Sequence, residues 1–324
     1  LHYPLRRQRQ MCIRDRKESD PEYWQFIGKQ IDEYLLPFDL LRPNFKTDCL
    51  VPHSFLIQFK FTLAKPFISR DDEVFYIIEN PVKKDKVFKV PMLSPSGWKG
   101  NLRWTAGRNF VGTLSTDIDE IFAKRLQLIR MFGNETPAIN RYFNGCISQK
   151  LFSKKEKNEI EEIDKEFQQY LEREIPSTKD VAGVQGRLYF YPTFFDKIDL
   201  EVINPHDRKT RAGKNPIYFE VVPATATGAF GLLWFPFDKV EDSAARKQAL
   251  KADWDVLKQA LKNMFFTYGF SAKKTSGFGV IENDICDKRF AIAGTSIDLQ
   301  EDKTDSFDIF LETIDALVKE VANE

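Results

Sequence analysis

The sequence has little of several residue types on which common enzyme and membrane classes depend. It holds four cysteines and three histidines in 324 residues. The cysteines are scattered: Cys12, Cys49, Cys146 and Cys286. No pair has the spacing of a zinc knuckle, and nothing resembles a disulfide framework. No apolar run approaches the roughly 18 residues that span a membrane. These absences favour a soluble protein with reduced thiols, and we expect a cytoplasmic location and no membrane partner.

The chain also lacks net charge, and its charges are unevenly placed. Residues 1–16 hold five arginines and one aspartate, a net of +4 (5 − 1), while the whole chain sums to zero. The rest therefore sums to −4 (0 − 4), which argues against indiscriminate nucleic-acid binding. Residues 1–16 look foreign, and we predict a non-native or disordered tail. The alternative is a basic arm for RNA. His2 lies in this tail, which leaves His53 and His206 and disfavours paired-histidine catalysis.

Two loops about 170 residues apart join small residues to strong cations: the first Gly loop, residues 94–103, and the second Gly loop, residues 269–279. Small residues let a backbone approach a ligand, and Lys or Arg beside free N–H groups suits phosphate. Two cradles suggest a long polyanion. The candidate RNA-binding residues are Ser94, Ser96, Lys99, Arg103, Lys273, Lys274 and Thr275. The second loop lacks the P-loop spacing and could be a plain turn.

Other interpretations of these residues and of the basic stretch 204–216 stay open. Arg103 could form a structural ion pair instead of contacting RNA. Trp98 and Trp104 are expected in the core rather than as stacking platforms. The basic stretch 204–216 could be an ordinary solvated loop.

The hydrophobic periodicity predicts an α+β fold with helices on one face of an antiparallel sheet, as in ferredoxin-like folds. Apolar residues alternate over 54–63, which predicts a half-buried strand. Further strands are predicted within 184–195 and at 218–222, 228–235 and 280–281. Helices are predicted at 21–36, 98–107, 115–131, 243–267 and 306–321. Residues 136–182, rich in Lys and Glu, are predicted to form a helical insertion that packs one face on the body.

Five short segments occur in the order found in one protein family. They are residues 94–103, 128–135, 186–190, 207–210 with 220–223, and 274–279. Together they resemble the RAMP superfamily of CRISPR-associated proteins, and most closely its repeated backbone subunit of type III effector complexes, the Csm and Cmr type. Three features depart from the family: the long insertion, Pro95 and Trp98 in place of Ser and Leu, and the lack of a Cys/His zinc cluster.

The resemblance implies an RRM-like domain over residues 47–324, preceded by a helical arm at 17–46. It also implies a thumb β-hairpin at 198–218. The thumb would supply further RNA-binding residues: His206, Arg208, Lys209, Arg211 and Lys214. Expected partners are CRISPR RNA, complementary target RNA, copies of the chain itself and other effector subunits. The alternatives are a single-copy capping subunit and an endoribonuclease that processes precursor CRISPR RNA.

The resemblance leaves catalysis open. Glu79 occupies the position where many relatives carry an aspartate that cleaves target RNA with a divalent metal. Asp71 and Asp72 are the other carboxylates within reach. Such a site would take Mg²⁺ or Mn²⁺ once RNA is bound. The chain could equally be an inactive scaffold that presents RNA to a separate nuclease.

Overall fold

A computed structural model describes residues 21–43, 46–71, 80–153, 157–175, 183–203 and 216–323. The strands are β1 (Phe55–Leu63), β2 (Met92–Leu93), β3 (Leu188–Phe190), β4 (Thr193–Phe194), β5 (Asp199–Ile203), β6 (Ile217–Val221), β7 (Thr227–Trp234), β8 (Ile281–Ile292), β9 (Asp298–Glu301) and β10 (Asp305–Ser306). The α-helices are α1 (Pro21–Gln30), α2 (Pro95–Gly112), α3 (Ile118–Phe132), α4 (Pro137–Phe152), α5 (Lys157–Glu174), α6 (Ser243–Lys262) and α7 (Phe307–Asn323). None of the helices within these ranges is long and apolar enough to cross a lipid bilayer.

The central sheet is antiparallel and has the strand order β10-β8-β1-β7-β3, with β9 on β8. Along the chain its core reads β1, α2, β3, β7, α6, β8. The order β8-β1-β7-β3 is therefore fourth, first, third, second, which is the ferredoxin-like arrangement. The predicted fold class is confirmed, with its helical insertion and its β-hairpin.

Strand β1 lies at the centre of the core. Phe59 meets Phe265 at 5.5 Å and Phe307 at 5.4 Å between ring centroids, both edge to face. Such edge-to-face pairs add to the free energy of burial. The prediction that β1 is half-buried is wrong for its first half, because Leu56 and Gln58 on the opposite face are also buried. The Gln58 side chain donates to the Pro43 carbonyl at 2.9 Å, so the segment before β1 covers that face.

Strand β8 is much longer than the two residues predicted. Charged residues interrupt its apolar pattern, but the fold neutralises them. Lys288 is 2% exposed and pairs with Glu301 at 2.9 Å, and Arg289 pairs with Asp298 at 3.2 Å. Since both acidic partners lie on β9, the short strand makes burial of the two cations tolerable.

The insertion forms two helices, α4 and α5, where the sequence predicted one helical stretch. A buried arginine ties them to α3. The Arg125 guanidinium, fully buried, donates to Glu135 at 2.6 Å and to Asn144 at 2.7 Å. It also lies 3.8 Å from the Phe167 ring centroid on α5. The insertion is thus fastened to the body through one cation.

Strands β5 and β6 pair antiparallel from Asp199↔Val221 to Ile203↔Ile217 and form the expected hairpin. Its tip, residues 204–215, lies outside the described residues. The same is true of the predicted tail and of five candidate RNA-binding residues: His206, Arg208, Lys209, Arg211 and Lys214.

Candidate nucleic-acid interface

Helix α2 begins inside the first Gly loop with a serine cap. The Ser94 hydroxyl accepts the Gly97 N–H at 3.2 Å, and Pro95 follows in the first helical turn. This is a favourable helix start, since the cap satisfies a free donor and proline has no N–H to lose. Ser96 is exposed, with its hydroxyl 3.0 Å from that of Ser94. The Ser94 side chain therefore serves the cap, and Ser96 faces solvent.

The two Gly loops, distant in sequence, meet in space. The Asn101 side-chain amide donates to the Gly97 carbonyl at 2.9 Å and to the Phe270 carbonyl at 3.0 Å. Beneath this bridge the Trp98 and Phe270 rings lie 4.6 Å apart. Trp98 is fully buried, as expected. The loops thus form one continuous surface over a shared aromatic core.

The second Gly loop closes on itself through glycines in the left-handed region. Gly269 has φ +72, and a Cβ there would lie 2.3 Å from the Phe278 carbonyl oxygen. Gly279 has φ +73, and a Cβ there would lie 2.7 Å from the Ser271 nitrogen. The Phe270 N–H donates to the Gly279 carbonyl at 3.0 Å. Only glycine allows this close approach of backbone to backbone.

The first-loop cations differ in how they are engaged. Lys99 forms no hydrogen bond or ion pair with the part of the chain that the structure describes. Burial lowers its pKa, and the charge of Arg103 lowers it further. Arg103 itself donates to the carbonyls of Gly133, at 3.4 Å, and Asn134, at the end of α3. Arg103 therefore fixes the loop after α3, and Lys99 is the better candidate for a phosphate.

The two lysines of the second Gly loop contact different elements. The Lys273 ammonium lies 3.9 Å from the Phe219 ring centroid on β6. The Lys274 ammonium lies 4.3 Å from the Trp104 ring centroid on α2, and burial lowers its pKa. Thr275, the next residue, is exposed. The loop therefore connects the hairpin to α2.

Trp104 does not lie in the core, so that prediction is wrong. Its side chain is 43% exposed and meets the Tyr268 ring edge on at 5.0 Å. The buried stripe of α2 runs through Trp98, Leu102 and Ala106 at intervals of four. At about 100° per residue, position 104 is about 200° around the helix from position 102. The helical period already contained this signal.

Of the three carboxylates proposed for catalysis, only Asp71 lies among the residues that the structure describes. Asp71 accepts the Lys84 N–H at 3.3 Å, and its own N–H donates to the Pro81 carbonyl at 3.0 Å. Asp72 and Glu79 lie outside the described residues. The segment leading to Asp71 is held by the second Gly loop, where the Ser271 hydroxyl accepts the Ile68 N–H at 2.8 Å. Within the described ranges, no group of three or more His, Cys, Asp or Glu could hold a metal.

A buried ion pair that the sequence reasoning missed fastens the chain just after residues 72–79. The Lys84 ammonium donates to the Glu220 carboxylate on β6, and their side chains are 2% and 8% exposed. Glu220 also accepts the Val82 N–H at 3.2 Å. The Asn80 side chain donates to the Tyr218 carbonyl at 3.1 Å. Residues 80–84, which follow the candidate catalytic segment, are therefore fixed to the base of the hairpin.

Comparison with known proteins identifies the family to which the chain belongs. A model of the RAMP superfamily matches residues 50–282, which include β1, both Gly loops and the hairpin. No curated protein sequence matches the chain.

Several solved structures are similar. A chain of the type III-B Cmr-β complex bound to cognate target RNA has 11% identity and a TM-score of 0.41, covering 86% of this chain and 69% of its own. Csm3 of Methanopyrus kandleri has 14% identity and a TM-score of 0.41, covering 85% and 98%. A chain of a type IV-B CRISPR complex has 11% identity and a TM-score of 0.37, covering 75% and 92%.

Proposed function

The chain belongs to the RAMP superfamily, and we propose that it is a CRISPR RNA-binding backbone subunit of a type III-like, RNA-targeting effector complex. One observation carries the proposal. The Asn101 amide bridges the two Gly loops, at 2.9 Å to Gly97 and 3.0 Å to Phe270. The loops thereby present a single surface to one bound strand.

The charges of this surface support a polyanion as its ligand. Lys99 and Lys274 take part in none of the ion pairs found among the described residues, although burial lowers the pKa of both. A phosphate would supply the missing countercharge, and each such contact releases counterions. Since the chain as a whole has zero formal charge, binding would depend on this local surface.

The hairpin belongs to the same surface. The Lys273 ammonium rests on Phe219 of β6, so the second Gly loop and the hairpin base adjoin each other. A guide RNA held on the Gly loops would thus pass close to the hairpin base. The five basic or histidine side chains of residues 204–215, which lie outside the described residues, are proposed to contact the guide–target duplex. Complementary target RNA, copies of this chain and other effector subunits are the proposed partners.

We further propose that Glu79 takes part in cleavage of bound target RNA. The described residues do not supply the set of oxygen ligands that Mg²⁺ or Mn²⁺ needs. The support is the sequence position: Glu79 stands where many relatives carry the cleaving aspartate, and the next residue, Asn80, donates to the Tyr218 carbonyl of the hairpin base at 3.1 Å.

The proposal is tested by expressing the chain with a CRISPR array and the neighbouring effector genes. We expect purified particles to hold RNA of defined length and several copies of this chain. Lys99→Ala with Lys274→Ala should release the RNA. Lys251→Ala removes an exposed lysine of α6 remote from the loops and should leave it bound. A monomer without RNA would refute the proposal, and one copy per particle would make the chain a capping subunit.

A further inference from the structure

Aromatic and cationic side chains converge on the outer face of α2, beside the second Gly loop. We name this surface the indole patch, and its members are Trp104, Arg108, Tyr142, Tyr268 and Lys274. The indole ring of Trp104 is its centre. Lys274 lies 4.3 Å and the Arg108 guanidinium carbon 5.9 Å from the ring centroid, and Tyr268 meets the ring edge on.

The indole patch is exposed to solvent. Trp104 is 43% and Tyr142 41% exposed. Arg108 donates to the Tyr142 hydroxyl at 3.1 Å. In the part of the chain that the structure describes, neither Arg108 nor Lys274 forms an ion pair with a carboxylate. A scattered exposed aromatic residue needs no explanation, but two aromatic rings held between two unpaired cations form a surface with specific chemistry.

We propose that Trp104 stacks an unpaired nucleobase of a bound RNA strand, with the adjacent phosphate on Lys274 and Arg108. The proposal rests on the proposed function, because the strand is the one that the two Gly loops hold. Every base has a π-face, so an indole ring can stack on any of them, and neighbouring cations neutralise the backbone.

The contacts of Lys274 explain how the face of the Trp104 ring would become accessible to a base. Its ammonium rests on the indole face and makes no hydrogen bond within the described residues. A phosphate offers a full negative charge in place of the weaker quadrupole of the ring. Lys274 therefore exchanges the ring for the phosphate, and the indole face becomes free for the base. Lys274 also belongs to the second Gly loop, so the base site continues the surface that binds the backbone.

The test separates the base from the phosphate. The full chain is titrated with a fluorescein-labelled oligouridine and with an oligomer of the same length made of abasic ribose phosphates. We expect Trp104→Ala to weaken oligouridine binding about tenfold, within the range of about 5- to 150-fold that one stacked base contributes. Binding of the abasic oligomer should not change, and Trp104→Tyr should retain most of the affinity. The tryptophan fluorescence contributed by Trp104 is the difference between the wild type and Trp104→Phe, and oligouridine should quench this difference.

A matched control is Phe152→Ala, which removes an aromatic side chain of α4 that is 51% exposed. It should change neither affinity. Equal weakening of both oligomers by Trp104→Ala would overturn the proposal, because the ring would then act only by positioning Lys274. Unchanged binding of both would overturn stacking and leave the proposed function intact. A wild-type chain that binds neither oligomer would overturn both proposals.

Discussion

At the scale of single residues, the buried Lys84–Glu220 ion pair is expected to contribute strongly to the stability of the fold. Both side chains are nearly inaccessible to water. Removing one partner leaves a buried charge uncompensated, which typically costs about 3–5 kcal/mol. We expect Lys84→Met to lower the free energy of unfolding by that amount in urea titrations. Adding Glu220→Leu should restore most of the loss.

The control for this prediction is Lys29→Met, since Lys29 and Glu33 pair at 3.8 Å with side chains 64% and 51% exposed. Exposed pairs contribute about 0–1 kcal/mol. If Lys84→Met costs no more than this control, the pair does not fasten the segment to the hairpin.

Asn101 is the residue through which the two Gly loops act as one. Asn101→Ala removes two hydrogen bonds, each of which contributes about 1 kcal/mol net. We expect a drop of about 1–2 kcal/mol in the free energy of unfolding and weaker RNA binding. Asn283→Ala also removes an amide hydrogen bond, at 3.1 Å to Ser306, but on β8. It should leave RNA binding unchanged; equal affinities of the two variants would contradict the role assigned to Asn101.

Glu79 and Lys99 should separate cleavage from binding. In the assembled complex, Glu79→Ala should abolish cutting of target RNA and leave its affinity nearly unchanged, because the carboxylate acts in the transition state. Lys99→Ala should weaken guide binding and reduce the salt dependence by about one phosphate contact. A wild-type complex that binds target and leaves it uncut in both Mg²⁺ and Mn²⁺ would refute intrinsic cleavage.

At the scale of elements, the insertion depends on the buried arginine between α3, α4 and α5. Arg125→Met leaves the carboxylate of Glu135 and the amide of Asn144 without their cation. We expect a loss of about 3–5 kcal/mol in the free energy of unfolding. The adjacent residue provides the control, because Lys124 pairs with Glu120 on the surface of the same helix. Lys124→Met should cost under about 1 kcal/mol. Equal effects at 124 and 125 would contradict the structure of this network.

The helices and strands also show where sequence patterns suffice to predict the burial of a residue and the length of an element. Trp98 was expected in the core and lies there, since it follows the four-residue stripe of α2. The prediction for Trp104 is wrong because position 104 lies on the opposite side of α2 from that stripe. The length of β8 could not be read from its sequence, because Lys288 and Arg289 are buried only where β9 supplies their carboxylates. Local patterns predict an element when its own residues decide its burial, and they fail when a distant partner does.

At the scale of the whole molecule, the order of short motifs indicated the family, and the hydrophobic periodicity indicated an α+β fold with an antiparallel sheet. The sequence predicts two phosphate cradles and a long polyanion, but not that the two Gly loops meet, since that contact depends on the Asn101 amide reaching the Phe270 carbonyl. The pairing of Lys84 with Glu220, 136 residues away, was not predicted either, because it exists only after the hairpin base has packed against the segment after residue 79. The site is thus predictable in its parts, and the contacts that align those parts come from the fold.

The central claim is that both Gly loops hold one RNA strand. The most direct measurement is ultraviolet cross-linking of guide RNA in the purified complex, with the modified peptides identified by mass spectrometry. If one strand contacts both Gly loops, we expect cross-links in the peptides that contain residues 94–103 and 269–279. Both cross-links should be lost in the Lys99→Ala, Lys274→Ala double variant. Cross-links confined to other surfaces, such as the outer face of α7, or unaffected by the double variant, would contradict this claim.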